Sequence, residues 1–216
     1  MKLSQTGLGT IRVNNLDEFY PAQDMLLQTN QLVQYGTGIF AYNNVPLRVR
    51  QNVEAVIRGV LNKYGCIEVL LPIMQPSKLW EESGRLSKYI EEGVMITAKT
   101  EKGDFVLAPT AEEAITDFVR GRVSSYKSLP VTFYQIGEKF RNEIRTRGYL
   151  LRGKTFPMMD AYSFDTDEEA CKKTYANIRK AYIEIFKILE LNAMPVAADS
   201  GAMGGNQSEE FMLESP

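Results

Sequence analysis

The sequence contains no histidine. With histidine go the usual general base near neutral pH, the commonest metal ligand and the relay member of a nucleophile triad. Cysteine is almost as scarce. Cys66 and Cys171 are the two present; they lie far apart, match no metal-binding spacing and are expected to be reduced thiols. No apolar run approaches the roughly 20 residues of a membrane span, and no secretory leader opens the chain, so the expected location is cytoplasmic. A basic excess is also missing: 25 Lys and Arg face 27 Asp and Glu, for a formal net charge of -2. A free-standing nucleic-acid binder usually carries a basic balance, so any RNA contact must use a local patch or a part outside these residues. Most hydrolase and zinc chemistries are thereby excluded. Carboxylates, Arg, Lys, hydroxyls and backbone remain to do the work.

What is present is ordinary globular material, 216 residues with 44% hydrophobic and 24% charged, enough for one sizeable core. Residues 1–15 are polar and read as an irregular arm. Apolar spacing predicts a helix over 23–34, closed by Gly36, then a short strand over 38–42. The clearest helix covers 46–64, with Val49, Val53, Val56, Ile57, Val60, Leu61 and Tyr64 on one stripe and Gly65 as its C-cap. Residues 66–71 are nearly all apolar and predict a strand buried on both faces. A hairpin is expected over 94–99 and 104–107, a helix over 111–126, strands over 132–140 and 155–164, and a long amphipathic helix over 167–191. A strand over 193–198, a flexible loop over 200–205 and a short strand over 211–213 complete the pass. Strands and helices do not alternate regularly, so the expected class is α+β, an antiparallel sheet flanked by helices. The expected sheet combines the strands near 66–71, 104–108, 131–140, 155–164 and 194–198.

The densest chemistry lies between two strands. Residues 139–154 carry six basic side chains, Lys139, Arg141, Arg145, Arg147, Arg152 and Lys154, opposed in that stretch by Glu143. A basic loop between two strands suits a polyanion, because the planar arginine fork meets two phosphate oxygens at once. A solvated basic hairpin is the plain alternative.

The order of residues favours the first reading. Phe140-Arg141-Asn142-Glu143 resembles the second motif of the class II aminoacyl-tRNA synthetases. Met159-Asp160-Ala161-Tyr162-Ser163-Phe164 resembles the prolyl branch of that class, bacterial type. The helix and strand ending at Pro72 resemble the first class II motif, which forms dimer interfaces. Leu79-Trp80-Glu81-Glu82-Ser83-Gly84-Arg85 follows as in the bacterial prolyl enzymes. Ala108-Pro109-Thr110-Ala111-Glu112-Glu113 resembles the Thr-x-Glu loop that holds the amino acid. Residues 198–205 resemble the segment ahead of the family's editing insertion.

The resemblance implies ATP-dependent activation of proline and transfer of the prolyl group to tRNA(Pro). It implies Arg141 as the bridge between α-phosphate and substrate carboxylate. Glu143 is implied near the adenine or as a fastener of the loop, and Arg152 at the outer phosphates. Phe156 is implied as a stacking face for adenine, or else as a core aromatic. Thr110, Glu112 and Tyr162 are implied around the proline, although Thr-Ala-Glu also reads as an N-cap and Tyr162 as core. ATP brings Mg²⁺, for which these residues suggest no ligand. A homodimer is implied, and no membrane. Residues 1–216 are then expected to form part of a class II catalytic domain. The resemblance places the first two motifs within these residues, and the editing insertion, the third motif and the anticodon-binding domain are expected to be absent from them.

Three positions depart from the family pattern. Ala111 stands where His is usual, Met159 where Lys is usual, and Glu209 where His is usual. These leave a second reading, a non-catalytic synthetase-like subunit with a regulatory or assembly role, and a third, activation onto an acceptor other than tRNA.

Overall fold

The computed structural model describes residues 22–199 and 207–214. The expected arm over 1–15 and loop over 200–205 lie outside them. The order is α1 Ala22–Gln28, β1 Leu32–Gly36, β2 Ile39–Tyr42, α2 Asn44–Lys63, β3 Ile67–Glu68 and β4 Met74–Pro76. Next come α3 Ser77–Glu82, α4 Leu86–Glu91, β5 Ile96–Thr100, β6 Gly103–Leu107 and α5 Glu112–Arg120. Last are β7 Val131–Phe140, β8 Thr155–Phe164, α6 Glu168–Ile188, β9 Ala193–Ala197 and β10 Glu209–Leu213.

The centre is the β7–β8 hairpin, ten antiparallel pairs from Val131↔Phe164 to Phe140↔Thr155. Its two faces are dressed differently, because alternate residues of a strand point to opposite sides. Tyr134, Ile136, Met159 and Ala161 pack with Val60 and Leu61 of α2 and Ala181 and Ile185 of α6. Phe133, Tyr162 and Phe164 pack with Ala114, Ile115 and Val119 of α5. Asn43 caps α2 by accepting from the Asn44 N–H, and Asp167 caps α6 by accepting from the Ala170 N–H, as short polar side chains do at helix starts. A third cluster, Trp80, Tyr89, Met95 and Val106, joins α3 and α4 to the β4–β6–β5 sheet.

The class is α+β, as expected, but the strands are divided. The five strands expected in one sheet fall into separate sheets: β3–β7–β8, β4–β6–β5 and the β9–β10 pair. The β3–β7 pair is parallel. The helix expected over 23–34 stops at Gln28. Asn30 takes a left-handed φ of 54°, which asparagine tolerates better than most. Leu32 and Val33 then pair across to Tyr42 and Ala41. The expected 111–126 helix ends at Arg120. In the 66–71 segment Cys66 and Leu71 are buried, whereas Leu70 is 83% exposed and Ile67 is also exposed. Cys66 joins the α2–α6 cluster and Leu71 the α5 cluster, so each face buries one end of the segment while Ile67 and Leu70 between them stay exposed. Val49 of the expected α2 stripe is exposed as well.

Gly38 fastens the β1–β2 turn to the basic loop. Its φ is +76°, and a Cβ there would fall 2.6 Å from Thr146 Cγ2 and 2.9 Å from the Lys154 nitrogen. Its carbonyl accepts from the Lys154 N–H at 2.8 Å. Only glycine has both the conformation and the clearance.

Candidate functional site

Arg141 lies one residue beyond the end of β7 and is held from three directions. Its own N–H donates to the Lys154 carbonyl at 2.9 Å across the loop. Its Nε donates to the Pro109 carbonyl at 3.2 Å. The guanidinium sits 5.4 Å from the centre of the Phe156 ring. Glu143 accepts from Arg152 Nε at 2.8 Å and from the Arg145 N–H at 3.2 Å. Those contacts, Arg152 first, hold its carboxyl below the usual carboxylate range. Arg141, Glu143, Arg152 and Phe156 line one hollow of about 470 Å³ together with Tyr42 and Pro157.

Pro109 leads into the loop before α5. Thr110 Oγ1 donates to Glu112 Oε2 at 2.6 Å. The Ala111 N–H donates to the Tyr162 hydroxyl at 3.1 Å, and that hydroxyl donates to Asp160 Oδ2 at 2.7 Å. Burial pushes the Tyr162 phenol well above its ordinary range, and the charges of Glu112 and Asp160 add to this. Tyr162 therefore spends its hydroxyl on joining the Thr110–Glu112 loop to the sheet. The seven predicted residues fall into two groups: Thr110, Glu112 and Tyr162, and Arg141, Glu143, Arg152 and Phe156. The Arg141–Pro109 bond links them.

Beneath lies a polar network that sequence reasoning missed. Asp160 accepts from Lys139 Nζ at 2.8 Å and from Gln135 Nε2 at 2.9 Å. Gln135 Oε1 in turn accepts from the Leu71 N–H at 3.1 Å. Lys139 is 2% exposed. It is a buried partner of Asp160, and no part of a solvated basic patch. Glu143 is the one acid within 139–154, and Asp160 on the opposite strand opposes Lys139 from outside that stretch. Strand register alone gave no signal for it, since Asp160 stands opposite Gln135 and Lys139 reaches it along the same face from four residues away.

Two departures from the family pattern are explained by position. Met159 faces α2 and α6, on the far side of the sheet from Asp160 and Tyr162, so it withdraws no charge from the 470 Å³ hollow. Loss of the usual lysine would weaken anion binding only if that side chain faced the nucleotide, and position 159 faces the helices instead. Glu209 accepts from Arg179 Nε at 2.9 Å, also behind the sheet. Ala111 is buried against Leu71 and Ile115. Among the described residues no cluster of three or more Cys, Asp or Glu could hold a metal ion, and no helix is long and apolar enough to cross a membrane.

A polar loop and a two-strand hairpin thus present an arginine beside an aromatic face, with a carboxylate-bearing turn next to it. The chain belongs to the class II aminoacyl-tRNA synthetases: the family described as "tRNA synthetase class II core domain (G, H, P, S and T)" matches residues 95–216. Within that class its curated relatives are proline–tRNA ligases. It is 42% identical over 212 residues to that of Burkholderia mallei, covering 98% of this chain and 36% of the relative. It is 40% identical over 211 residues to that of Cupriavidus taiwanensis, covering 98% and 37%. The chain therefore spans little more than a third of these relatives. The fold is also similar to Giardia lamblia prolyl-tRNA synthetase in complex with prolyl-adenylate, with a TM-score of 0.73, 18% identity, and coverage of 81% of this chain and 36% of that one. The Cryptosporidium parvum enzyme complexed with L-proline and AMP gives 0.73 at 13% identity, covering 86% and 38%.

Proposed function

We propose that this chain is the substrate-activating part of a proline–tRNA ligase, with residues 1–216 forming part of its class II catalytic domain. The proline carboxylate attacks the α-phosphorus of ATP, pyrophosphate leaves, and the adenylate later yields its prolyl group to tRNA(Pro). The observation that carries the reading is the placement of Arg141. It touches the Pro109 carbonyl of the amino-acid loop and the Phe156 face of the hollow at once. A cation at that junction reaches both the carboxylate and the α-phosphate, where negative charge grows in the transition state.

Phe156 offers adenine a stacking face, while Arg152, tied to Glu143, faces the outer phosphates. Thr110 and Glu112 take the ring nitrogen of proline, since an ammonium entering a partly desolvated site needs an anionic acceptor. Tyr162 walls the site through its ring. Mg²⁺ accompanies ATP, but no described residues fit it, so no step is assigned to it. The exposed Ile67 and Leu70 support a two-fold contact in a homodimer, and a ligase of this kind works in the cytoplasm.

The test is calorimetric titration of the 216-residue chain with 5′-O-(prolylsulfamoyl)adenosine and its alanyl counterpart. The prolyl compound should bind the tighter of the two. Arg141→Ala should weaken it by roughly tenfold to a hundredfold, the worth of a charge-assisted hydrogen bond. Equal affinity for the two compounds would sink the proline assignment.

A further inference from the structure

Glu112 stands next to Glu113, and the two carboxylates meet one guanidinium. Arg85 Nη1 lies 3.2 Å from Glu112 Oε2 and 3.0 Å from Glu113 Oε1. The Glu113 side chain is 2% exposed. Its Oε2, like Arg85 Nε, is buried with no hydrogen-bond partner among the described residues. The other nearby arginine, Arg120, is turned to Glu82 at 2.6 Å and Asp117 at 3.7 Å. Among the described residues Arg85 is thus the cation that balances this pair. Burial opposes its charge, but Glu113, Tyr89 and Glu112 hold its pKa above the usual arginine range.

Arg85 is itself firmly placed. It follows Gly84, whose φ is +73°, and its N–H donates to the Trp80 carbonyl at 3.1 Å. Its guanidinium lies 5.3 Å from the Trp80 ring centre and 4.8 Å from that of Tyr89, and Nη2 donates to the Tyr89 hydroxyl. Two aromatic faces and two carboxylates fix a planar fork better than they would a lysine ammonium. Glu112 Oε2 thus accepts from both Arg85 and Thr110. Oε1 accepts no hydrogen bond from the described residues.

We propose that Arg85 is the positioning residue of the amino-acid site: it occupies Oε2 of Glu112 and neutralises Glu113, so that Oε1 is presented to the substrate's ammonium. This rests on the proline reading above. Two adjacent carboxylates without a counter-charge repel one another and favour sharing a proton. Arg85 removes that repulsion without touching the substrate. The role is therefore specific to ligands that carry a cationic nitrogen.

The experiment compares 5′-O-(prolylsulfamoyl)adenosine with its cyclopentanecarbonyl counterpart, which keeps the ring and lacks the nitrogen, by calorimetry on the 216-residue chain. Arg85→Gln should weaken the prolyl compound by about tenfold or more and leave the cyclopentyl compound unchanged. Arg85→Lys should fall between parent and Arg85→Gln. Arg85→Gln with Glu113→Gln, which rebalances the charge, should recover most of the prolyl affinity. If Arg85→Gln does not fold, Arg85→Lys and the double variant carry the comparison. Equal loss for both compounds, or loss for neither, overturns the proposal while leaving the proline reading intact. A parent chain that binds the two compounds alike overturns the proline reading, and this one with it.

Discussion

At the scale of single residues, position on the sheet decides what a departure from the family pattern means. Met159 and Asp160 are neighbours in sequence but serve opposite faces of β8. One packs toward α2 and α6; the other receives Lys139, Gln135 and Tyr162. A lysine restored at position 159 would therefore point away from the 470 Å³ hollow. Met159→Lys is expected to leave affinity for the prolyl adenylate analogue unchanged and to lower stability by roughly 1–3 kcal/mol, the usual range for a polar group set among packed apolar ones. Calorimetry and thermal melting check the two halves separately. A tighter analogue would show that Met159 faces the nucleotide after all. The motif residues themselves were legible, because Phe-Arg-x-Glu and Met-Asp-Ala-Tyr-Ser-Phe are specific strings. Lys139 was legible only as a charge. Its burial depends on Asp160, and a linear reading of the basic run does not bring in the strand opposite.

At the scale of elements, the β7–β8 hairpin supports the site by carrying a buried ion pair on its α5 face. Lys139 and Asp160 are 2.8 Å apart. An interior pair of this kind gains little net stability, but removing one partner leaves a desolvated charge, at a cost of about 3–5 kcal/mol. Lys139→Met should therefore lower unfolding free energy by about that amount, and Lys139→Met with Asp160→Asn should recover most of it. Urea denaturation of the single and double variants measures the coupling. Additive losses would mean that the pair contributes no shared term. The hairpin strands and the helices α2 and α6 were readable because each carries a long periodic stripe and a clear cap. The segment 32–36 was not. Leu32 and Val33 fit a helical spacing as well as a strand, and pairing with β2 decides between them. The division into separate sheets was equally hidden, since strand order depends on long-range pairing that composition does not record. Of the candidate site, the named residues sit close together as two linked groups, but their wiring was not legible. The use of the Tyr162 hydroxyl to join Ala111 and Asp160 was not legible in the string. Arg85, read only as the end of a family string, is among the described residues the cation paired with Glu112, at 3.2 Å.

At the scale of the whole molecule, two surfaces lack a partner among the described residues. The first is the rim at β3, where Ile67 and Leu70 are exposed. Isologous contacts commonly use such apolar rims, so Leu70→Asp should shift sedimentation of the chain from dimer toward monomer; a parent that sediments as monomer at high concentration would refute the contact. The second is the outer edge of β8, which has β7 on one side and no strand on the other. The same strand lends Phe156 and Pro157 to the proposed nucleotide hollow. Among the described residues the cations that line this hollow are Arg141 and Arg152, too few for a triphosphate bearing about four negative charges at neutral pH. Each missing charge-assisted hydrogen bond costs on the order of 1.5–3 kcal/mol, and two such losses put ATP affinity near the millimolar range or weaker. With a formal net charge of -2, the chain as a whole adds no basic excess to attract tRNA, so any such contact must use a local patch. Proline-dependent ATP–pyrophosphate exchange by the 216-residue chain is therefore expected to stay at background. Adding in trans the remaining two-thirds of a relative such as the Burkholderia mallei ligase, of which this chain matches 36%, should raise exchange by supplying a strand to the β8 edge and further phosphate ligands. That gain should vanish with Arg141→Ala in this chain. Robust exchange by the 216 residues alone would show that Arg141 and Arg152 suffice. Exchange indifferent to Arg141→Ala would move the chemistry away from the β7–β8 loop altogether.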